Sequence, residues 1–369
     1  MNIKINRQAF LDGINSASKI IDPKSLSPAT TGVLIEVGVD KLTIISTNNS
    51  TSFKVELYKQ NSDLEIITPG TILVKPKFII DTLRKLENQF IKLSVFEESE
   101  LEIITEKSSL KIGLLDPEDF PLLGFVENGL EITLSPVEFK NTINQLINSI
   151  NPYKERTVLT GLNLKTKEDS IVFSATDLFK ISLKKIPINT QGEKINIIIP
   201  HKTLTELIKL IENVKKLKIV VFDNYTTFVF DNKTFQSILV DGNYPDVESA
   251  FPSVFGTSIK VKTKKILKLL NRFELPFESS DPTINLNIKK NEITLKTTVD
   301  SVKYEETFND FEFGGEEIEE VKFNTRFILE AIKTFDCEDL EIKFSLPSRM
   351  AVISSEEEPK LKQIILPRA

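Results

Sequence analysis

Hydrophobic and polar positions along this chain follow a pattern that returns six times: a short strand ending on an apolar residue, a polar or proline-bearing start signal, then a helix with an apolar stripe. The copies open at Ile3-Lys4-Ile5, Ile72-Leu73-Val74, Ile132-Thr133-Leu134, Ile197-Ile198-Ile199, Ile259-Lys260-Val261 and Val321-Lys322-Phe323. Their last apolar residues are 69, 60, 65, 62 and 62 positions apart, which is a period. Five positions further on another apolar residue stands in every copy: Phe10, Ile79, Phe139, Leu204, Ile266 and Ile328. Each falls one turn into a predicted helix, and stripes such as Phe78, Ile79, Leu83 and Leu86, or Leu204, Leu207, Ile208 and Ile211, continue it. Short alternating segments follow, as in Val33-Leu34-Ile35, Gly38-Val39-Asp40 and Leu42-Thr43-Ile44, and predict antiparallel strands. The unit is one strand, one helix and about three more strands, so the chain is α+β and built of six modules. Such modules expose sheet edges that must be paired or covered, and joined edge to edge they build an arc or a closed ring.

Length sets how the modules group. A chain of 369 residues exceeds one ordinary core, and domains of about 100 to 150 residues divide it into two to four units, three being the first choice. Hydrophobic residues at 40% and charged residues at 27% match a globular protein that is neither disordered nor membrane-embedded. No apolar run reaches the roughly 18 residues of a membrane span, and the start MNIKINRQAF has no signal-peptide core, so an intracellular location is expected. Cys337 stands alone and can form no internal disulfide. Asn49-Ser50-Thr51 and Asn224-Tyr225-Thr226 fit a glycosylation pattern by chance in such a protein.

Net charge is -6, which at first sight argues against a polyanionic partner. The distribution reverses that picture. Over the six helix segments the formal charge sums to +12, leaving -18 on the remaining strands and loops. Basic helices and acidic sheets suit a ring whose helices line a hole for DNA, because like-charge repulsion discourages binding elsewhere. Phosphate contacts of that kind carry no sequence information and favour sliding. For any single lysine a merely solvated helix face is the better explanation, and it is the aggregate asymmetry that points to a ring.

Catalytic signals are thin. His201 is the one histidine, and no glycine-rich phosphate loop occurs among 13 glycines, so no cofactor is expected. Asp177, Asp241 and Asp246 offer the carboxylates of a metal-dependent nuclease. Asp241 beside Gly242 also suits a turn, and Asp177 at a strand end suits a loop acceptor. A plain oligomeric scaffold unrelated to DNA is the third alternative.

Several stretches resemble one family. Ser174-Ala175-Thr176-Asp177, Ile198-Ile199-Pro200-His201-Lys202 and Leu239-Val240-Asp241-Gly242-Asn243-Tyr244-Pro245-Asp246 are similar to the central domain of the bacterial sliding clamps, the beta subunits of DNA polymerase III. Asp119-Phe120-Pro121 resembles the end of the family's first domain, Phe323-Asn324 opens the last helix of its third, and Ile364-Ile365-Leu366-Pro367-Arg368 resembles its tail. The resemblance is collinear over the whole chain. It implies three similar domains of the DNA clamp fold, expected at 1–128, 129–254 and 255–369, each made of two modules. It further implies a head-to-tail dimer closing a six-domain ring, helices inside and sheets outside, around double-stranded DNA in the cytoplasm.

The same resemblance implies a non-catalytic processivity factor within a nucleotidyltransferase complex. Its implied partners are the polymerase III catalytic subunit, the clamp loader and other proteins that carry a clamp-binding motif, with no membrane involved. Positions facing DNA would be Lys24, Lys77, Arg84, Tyr153, Arg156, His201 and Lys202. A pocket for short linear peptides would take Leu159, Thr176, Leu178, Phe179, Lys180, Ile181, Pro245, Asn324, Phe327, Ser348, Met350, Ile364, Leu366, Pro367 and Arg368. The dimer contact would pair Leu110 and Ile112 with Leu275 and Phe277. Two departures stand out: Leu178-Phe179-Lys180 replaces the family's usual Gly-His-Arg, and the tail is shorter by one or two residues.

Overall fold

Each of the six opening strands runs straight into its helix, and the start signals explain why. In the computed structural model, Asn6 Oδ1 accepts from the N–H groups of Gln8 and Ala9, and Asn324 Oδ1 accepts from those of Arg326 and Phe327, capping the helices that follow. Pro76 and Pro136 occupy first helical positions, where a missing N–H costs nothing. The structure describes residues 1–97, 99–121, 124–190, 192–274, 282–299 and 302–368. The helices are α1 (Arg7–Ser18), α2 (Lys59–Ser62), α3 (Pro76–Leu83), α4 (Pro136–Leu146), α5 (His201–Leu207), α6 (Thr263–Asn271) and α7 (Thr325–Lys333). All but α2 open on the predicted copies. The single turn α2 and the strand Glu65–Thr68 sit inside the longest interval of the repeat and account for its extra length. Phe10, Ile79, Phe139 and Leu204 are fully buried, and Ile266 and Ile328 nearly so, which is the core expected of the five-residue offset.

The chain falls into two compact units, Met1–Phe139 with Lys202–Leu239, and Lys140–His201 with Val240–Ala369. Among the described residues the first unit holds a five-stranded and an eight-stranded sheet, the second a nine-stranded and a four-stranded one. All pairings are antiparallel. Because a helix begins within two residues of the opening strand's end, that strand cannot turn back by a hairpin. It pairs instead with the first post-helix strand of the companion module. Asn2–Asn6 joins Phe90–Phe96 while Gly70–Val74 joins Val33–Val37. Leu130–Leu134 joins Leu217–Phe222, and Asn196–Pro200 joins Gly161–Lys167. Phe255–Lys262 joins Asp339–Ser345, and Ile318–Asn324 joins Thr283–Lys289. Modules therefore exchange strands in pairs, the first with the second, the third with the fourth and the fifth with the sixth.

In four of the six modules the third strand after the helix fuses sheets of different pairs. Thr51–Tyr58 lies against Lys233–Ile238, with Phe53 opposite Phe235. Lys180–Pro187 lies against Leu361–Ile365, with Lys180 opposite Ile365. In the second and fifth modules the equivalent strands, Ser109–Gly113 and Val302–Phe308, stand at the ends of their sheets. Among the described residues no helix is long and apolar enough to cross a membrane.

Candidate functional site

A tight turn at residues 177–180 organises one surface of the second unit. The Phe179 and Lys180 N–H groups both donate to Asp177 Oδ1 at 2.9 Å, the Leu178 N–H donates to Thr176 Oγ1 at 3.0 Å, and the Thr176 hydroxyl donates to the Lys180 carbonyl at 2.9 Å. The turn is closed by its own polar groups. Leu178 has φ +77°, left-handed backbone in which a side chain larger than glycine is strained. Behind the turn the Thr176 N–H donates to the Tyr244 hydroxyl at 2.9 Å, and burial raises the pKa of that phenol, keeping it protonated. Tyr244, the residue before Pro245, thereby braces the turn from behind.

The C-terminal strand meets this turn directly. Ile181 lies opposite Ile364, and the Leu366 N–H donates to the Phe179 carbonyl at 2.9 Å. The chain then leaves one sheet for the next: the Arg368 N–H donates to the Lys322 carbonyl at 2.8 Å, and Arg368 Nη1 donates to Thr283 Oγ1 at 2.6 Å. An open groove of about 510 Å³ runs along this tail, lined by Glu319, Lys322, Ser348, Arg349, Pro367 and Arg368 among others. Ser348 is held there by its Oγ contact with Ser345 at 2.7 Å, and the Ser345 N–H donates to the Met350 carbonyl.

Lys180 does not face solvent. Its ammonium lies 2.8 Å from Glu330 Oε2 and 4.5 Å from the centroid of the Phe327 ring, above a cavity of about 10 Å³. Gln145, Ser182, Thr334 and Gln363 line the same cavity, with Gln145 Nε2 donating to the Thr334 carbonyl at 3.0 Å and Gln363 Nε2 donating to Thr334 Oγ1 at 3.1 Å. Leu178 and Phe179 are 51% and 54% exposed, and Lys154 Nζ lies 5.0 Å over the Phe179 ring.

The structure thus connects Thr176, Leu178, Phe179, Lys180, Ile181, Phe327, Leu366, Pro367 and Arg368, with Ser348 and Met350 on the adjoining loop, Asn324 as the cap of the helix that carries Phe327, and Pro245 next in sequence to the bracing Tyr244. Leu159 and Ile364 are fully buried and offer no free surface. Sequence reasoning missed Glu330, Tyr244 and Lys154. Glu330 was signalled by its i,i+3 spacing from Phe327 on one helix face, and Tyr244 by its place in the segment Gly242-Asn243-Tyr244-Pro245.

The cationic positions divide between the units. In the first, Lys77 and Arg84 line an open cleft of about 530 Å³ with Lys75, Asp81, Asn15 and Pro23, and Arg84 Nη2 donates to Asn15 Oδ1 at 3.0 Å, tying α3 to α1. Lys24, exposed just past α1, lies outside that lining. Lys19 Nζ donates to the Lys209 carbonyl at 2.7 Å, so the end of α1 also meets the chain following α5, on which Lys202 is exposed. The helices α1, α3 and α5 are therefore linked within this unit, and the cations that exceed their carboxylates lie in the segments flanking them. In the second unit Tyr153 is 92% exposed and Arg156 exposed on the loop after α4. His201 is half-buried, and burial lowers its pKa below the ordinary 6.5, so at neutral pH it offers a hydrogen bond and not a charge.

Among the described residues no group of three His, Cys, Asp or Glu side chains is arranged to hold a metal ion. Asp177 spends its Oδ1 on the turn, as its expected loop role requires. Ile112 is buried and Leu110 half-buried on the sheet-end strand Ser109–Gly113, whereas Leu275 and Phe277 lie outside the described residues.

Comparison with known proteins returns one family along the whole chain. Profiles of the DNA polymerase III beta subunit match residues 1–124 as its N-terminal domain, 133–246 as its central domain and 248–369 as its C-terminal domain. The beta sliding clamp of Mycoplasma capricolum is 43% identical, covering 100% of this chain and 99% of its own. That of Staphylococcus epidermidis is 27% identical over the same shares. The DNA polymerase sliding clamp of Bacillus subtilis superposes with a TM-score of 0.93 at 25% identity, covering 100% of this chain and 99% of its own. The beta subunit of Streptococcus pyogenes gives 0.93 at 22% identity, covering 100% of both chains, a likeness of fold.

Proposed function

We propose that this chain, which belongs to the DNA polymerase III beta subunit family, is a sliding clamp: two copies close head to tail around duplex DNA and hold the polymerase to its template in the cytoplasm. The protein makes and breaks no bonds itself. Its domains run over 1–128, 129–254 and 255–369, two modules in each.

One observation carries the closure. Third post-helix strands pair between modules twice within the chain, and the two left at sheet ends belong to the second and fifth modules. Applying the same rule between copies pairs Ser109–Gly113 of one with Val302–Phe308 of the other, and two such contacts close a dimer of six domains. Lys111 on the first strand and Glu305 and Glu306 on the second are of opposite sign. In that ring Lys24, Lys77, Arg84, Tyr153, Arg156, His201 and Lys202 line the DNA path, and phosphate contacts from the cations let the ring slide without reading sequence. The surface around the 177–180 turn, Phe327 and the tail captures short peptides of the polymerase, the clamp loader and other proteins, its apolar walls and few polar anchors suiting such ligands.

Encirclement is a topological claim with a topological test. After loading, the protein should co-elute with closed circular DNA in gel filtration and be lost once the same DNA is linearised. Equal retention on both templates overturns it.

A further inference from the structure

We infer that Phe179, Leu178 and Lys154 together choose among partner peptides, favouring one that sets an acidic side chain beside its apolar anchors; this rests on the reading of that surface as a peptide groove. The turn at 177–180 is fixed by four hydrogen bonds to the Thr176 and Asp177 side chains, and the Phe179 carbonyl is taken by the Leu366 N–H. A backbone so constrained, tied to the tail through the Phe179 carbonyl, holds two large apolar side chains that are each more than half exposed. Adjacent exposed apolar residues on a rigid turn form a shelf whose cover is gained on binding.

Among the described residues, Lys154 is the cation that rests on this shelf. Cations nearer the tail are already engaged: Lys180 with Glu330, Lys322 with Glu320, Arg349 Nη1 with the Glu320 carbonyl, and Arg368 with Thr283. Lys154 is half-buried, its ammonium rests on the Phe179 ring, and among the described residues it meets no carboxylate. Neighbouring Glu155 and Arg156 are exposed and offset one another. A peptide lying across Phe179 removes water from the Lys154 ammonium, and a carboxylate on that peptide restores its lost partner. A basic side chain there meets a cation of its own sign. Glycine and histidine at the first two positions of the turn, as in the family's usual sequence, build no such aliphatic and aromatic shelf, so the selectivity belongs to this chain's own residues.

Fluorescence anisotropy on the full-length protein tests this with labelled octapeptides that carry a central Leu-Phe pair flanked on both sides by Glu, Gln or Lys. The expected order is Glu over Gln over Lys, with about fivefold between the first two at low salt, and the order should collapse in 1 M salt, where charges are screened beyond about 3 Å. Lys154→Glu should reverse the order, and Phe179→Ala should weaken all three peptides. Equal affinity for the three, or an order that Lys154→Glu leaves unchanged, overturns the selectivity while the groove stands. Failure of all three to bind overturns the groove and the selectivity together.

Discussion

Lys180 and Glu330 are paired at 2.8 Å on top of the Phe327 ring, with 9% of the lysine side chain and 31% of the glutamate exposed. Removing the carboxylate strands a desolvated ammonium, which for a fully buried pair costs about 3–5 kcal/mol. Solvent access to Glu330 reduces this, so Glu330→Ala should destabilise by about 1–2 kcal/mol. The double substitution Lys180→Met with Glu330→Leu should recover most of that loss, since an apolar pair of similar volume leaves no charge behind. Urea unfolding of the three proteins checks this: a single variant as stable as the unsubstituted protein would show the pair to be inert, and a double variant no more stable than the single one would refute the stranded charge as the cause.

Leu178 occupies left-handed backbone at φ +77° while its side chain gains little from burial. Glycine removes a strain of about 1 kcal/mol and loses a similar amount through the unfolded chain's freedom. Leu178→Gly should therefore change stability by less than about 0.5 kcal/mol, whereas β-branched Leu178→Val should cost about 1 kcal/mol or more. Comparable losses for both in denaturant titration would place the side chain, and not the backbone, in control.

Glu206 on α5 is buried, with the Thr51 hydroxyl donating to Oε2 at 2.8 Å, Asn48 Nδ2 donating to Oε1 at 3.1 Å, and Lys202 Nζ 3.9 Å away. Burial raises its pKa above the ordinary 4.5 in spite of those partners. The folded chain then holds a proton that the unfolded chain has already released, so stability falls as pH climbs from about 4.5 through the folded value, and the penalty is complete above it. Glu206→Gln cannot ionise and keeps an acceptor for Thr51. Its stability relative to the unsubstituted protein should improve as pH rises from 5 to 7.5 in parallel urea titrations, and a pH-independent difference refutes the assignment.

The six opening strands and the apolar residue five positions on were legible because a helix core and a strand core each impose a fixed period on the sequence, and Phe10, Ile79, Phe139 and Leu204 obey it. What the period cannot carry is the partner of an edge. Nothing local in Gly70–Val74 says that it pairs with Val33–Val37, or that Thr51–Tyr58 meets Lys233–Ile238, because backbone ladders use the same N–H and C=O groups whatever the side chains. The turn at 177–180 was found through its resemblance to a family motif. The withdrawal of Lys180 onto Glu330 and Phe327 was not, since long-range ion pairs leave no mark in local spacing.

Edge pairing gives the sharpest remaining test. Leu110 is half-buried on the sheet-end strand Ser109–Gly113, between the exposed Ser109 and Lys111. Under the proposed closure it meets Val302–Phe308 of a second copy, and a charge placed there is desolvated with no partner when the strands join. Val302 is exposed at the start of that other strand. Leu110→Asp should raise the dimer dissociation constant at least tenfold, about 1.4 kcal/mol, and so should Val302→Asp. Light scattering coupled to gel filtration reads the outcome directly: the unsubstituted protein should run at twice the 41.8 kDa of one chain and each variant should shift towards that single mass on dilution. Both sites must respond, because a closing contact joins two different surfaces, and a variant that weakens one strand while the other proves indifferent would break the third-strand rule on which the ring depends.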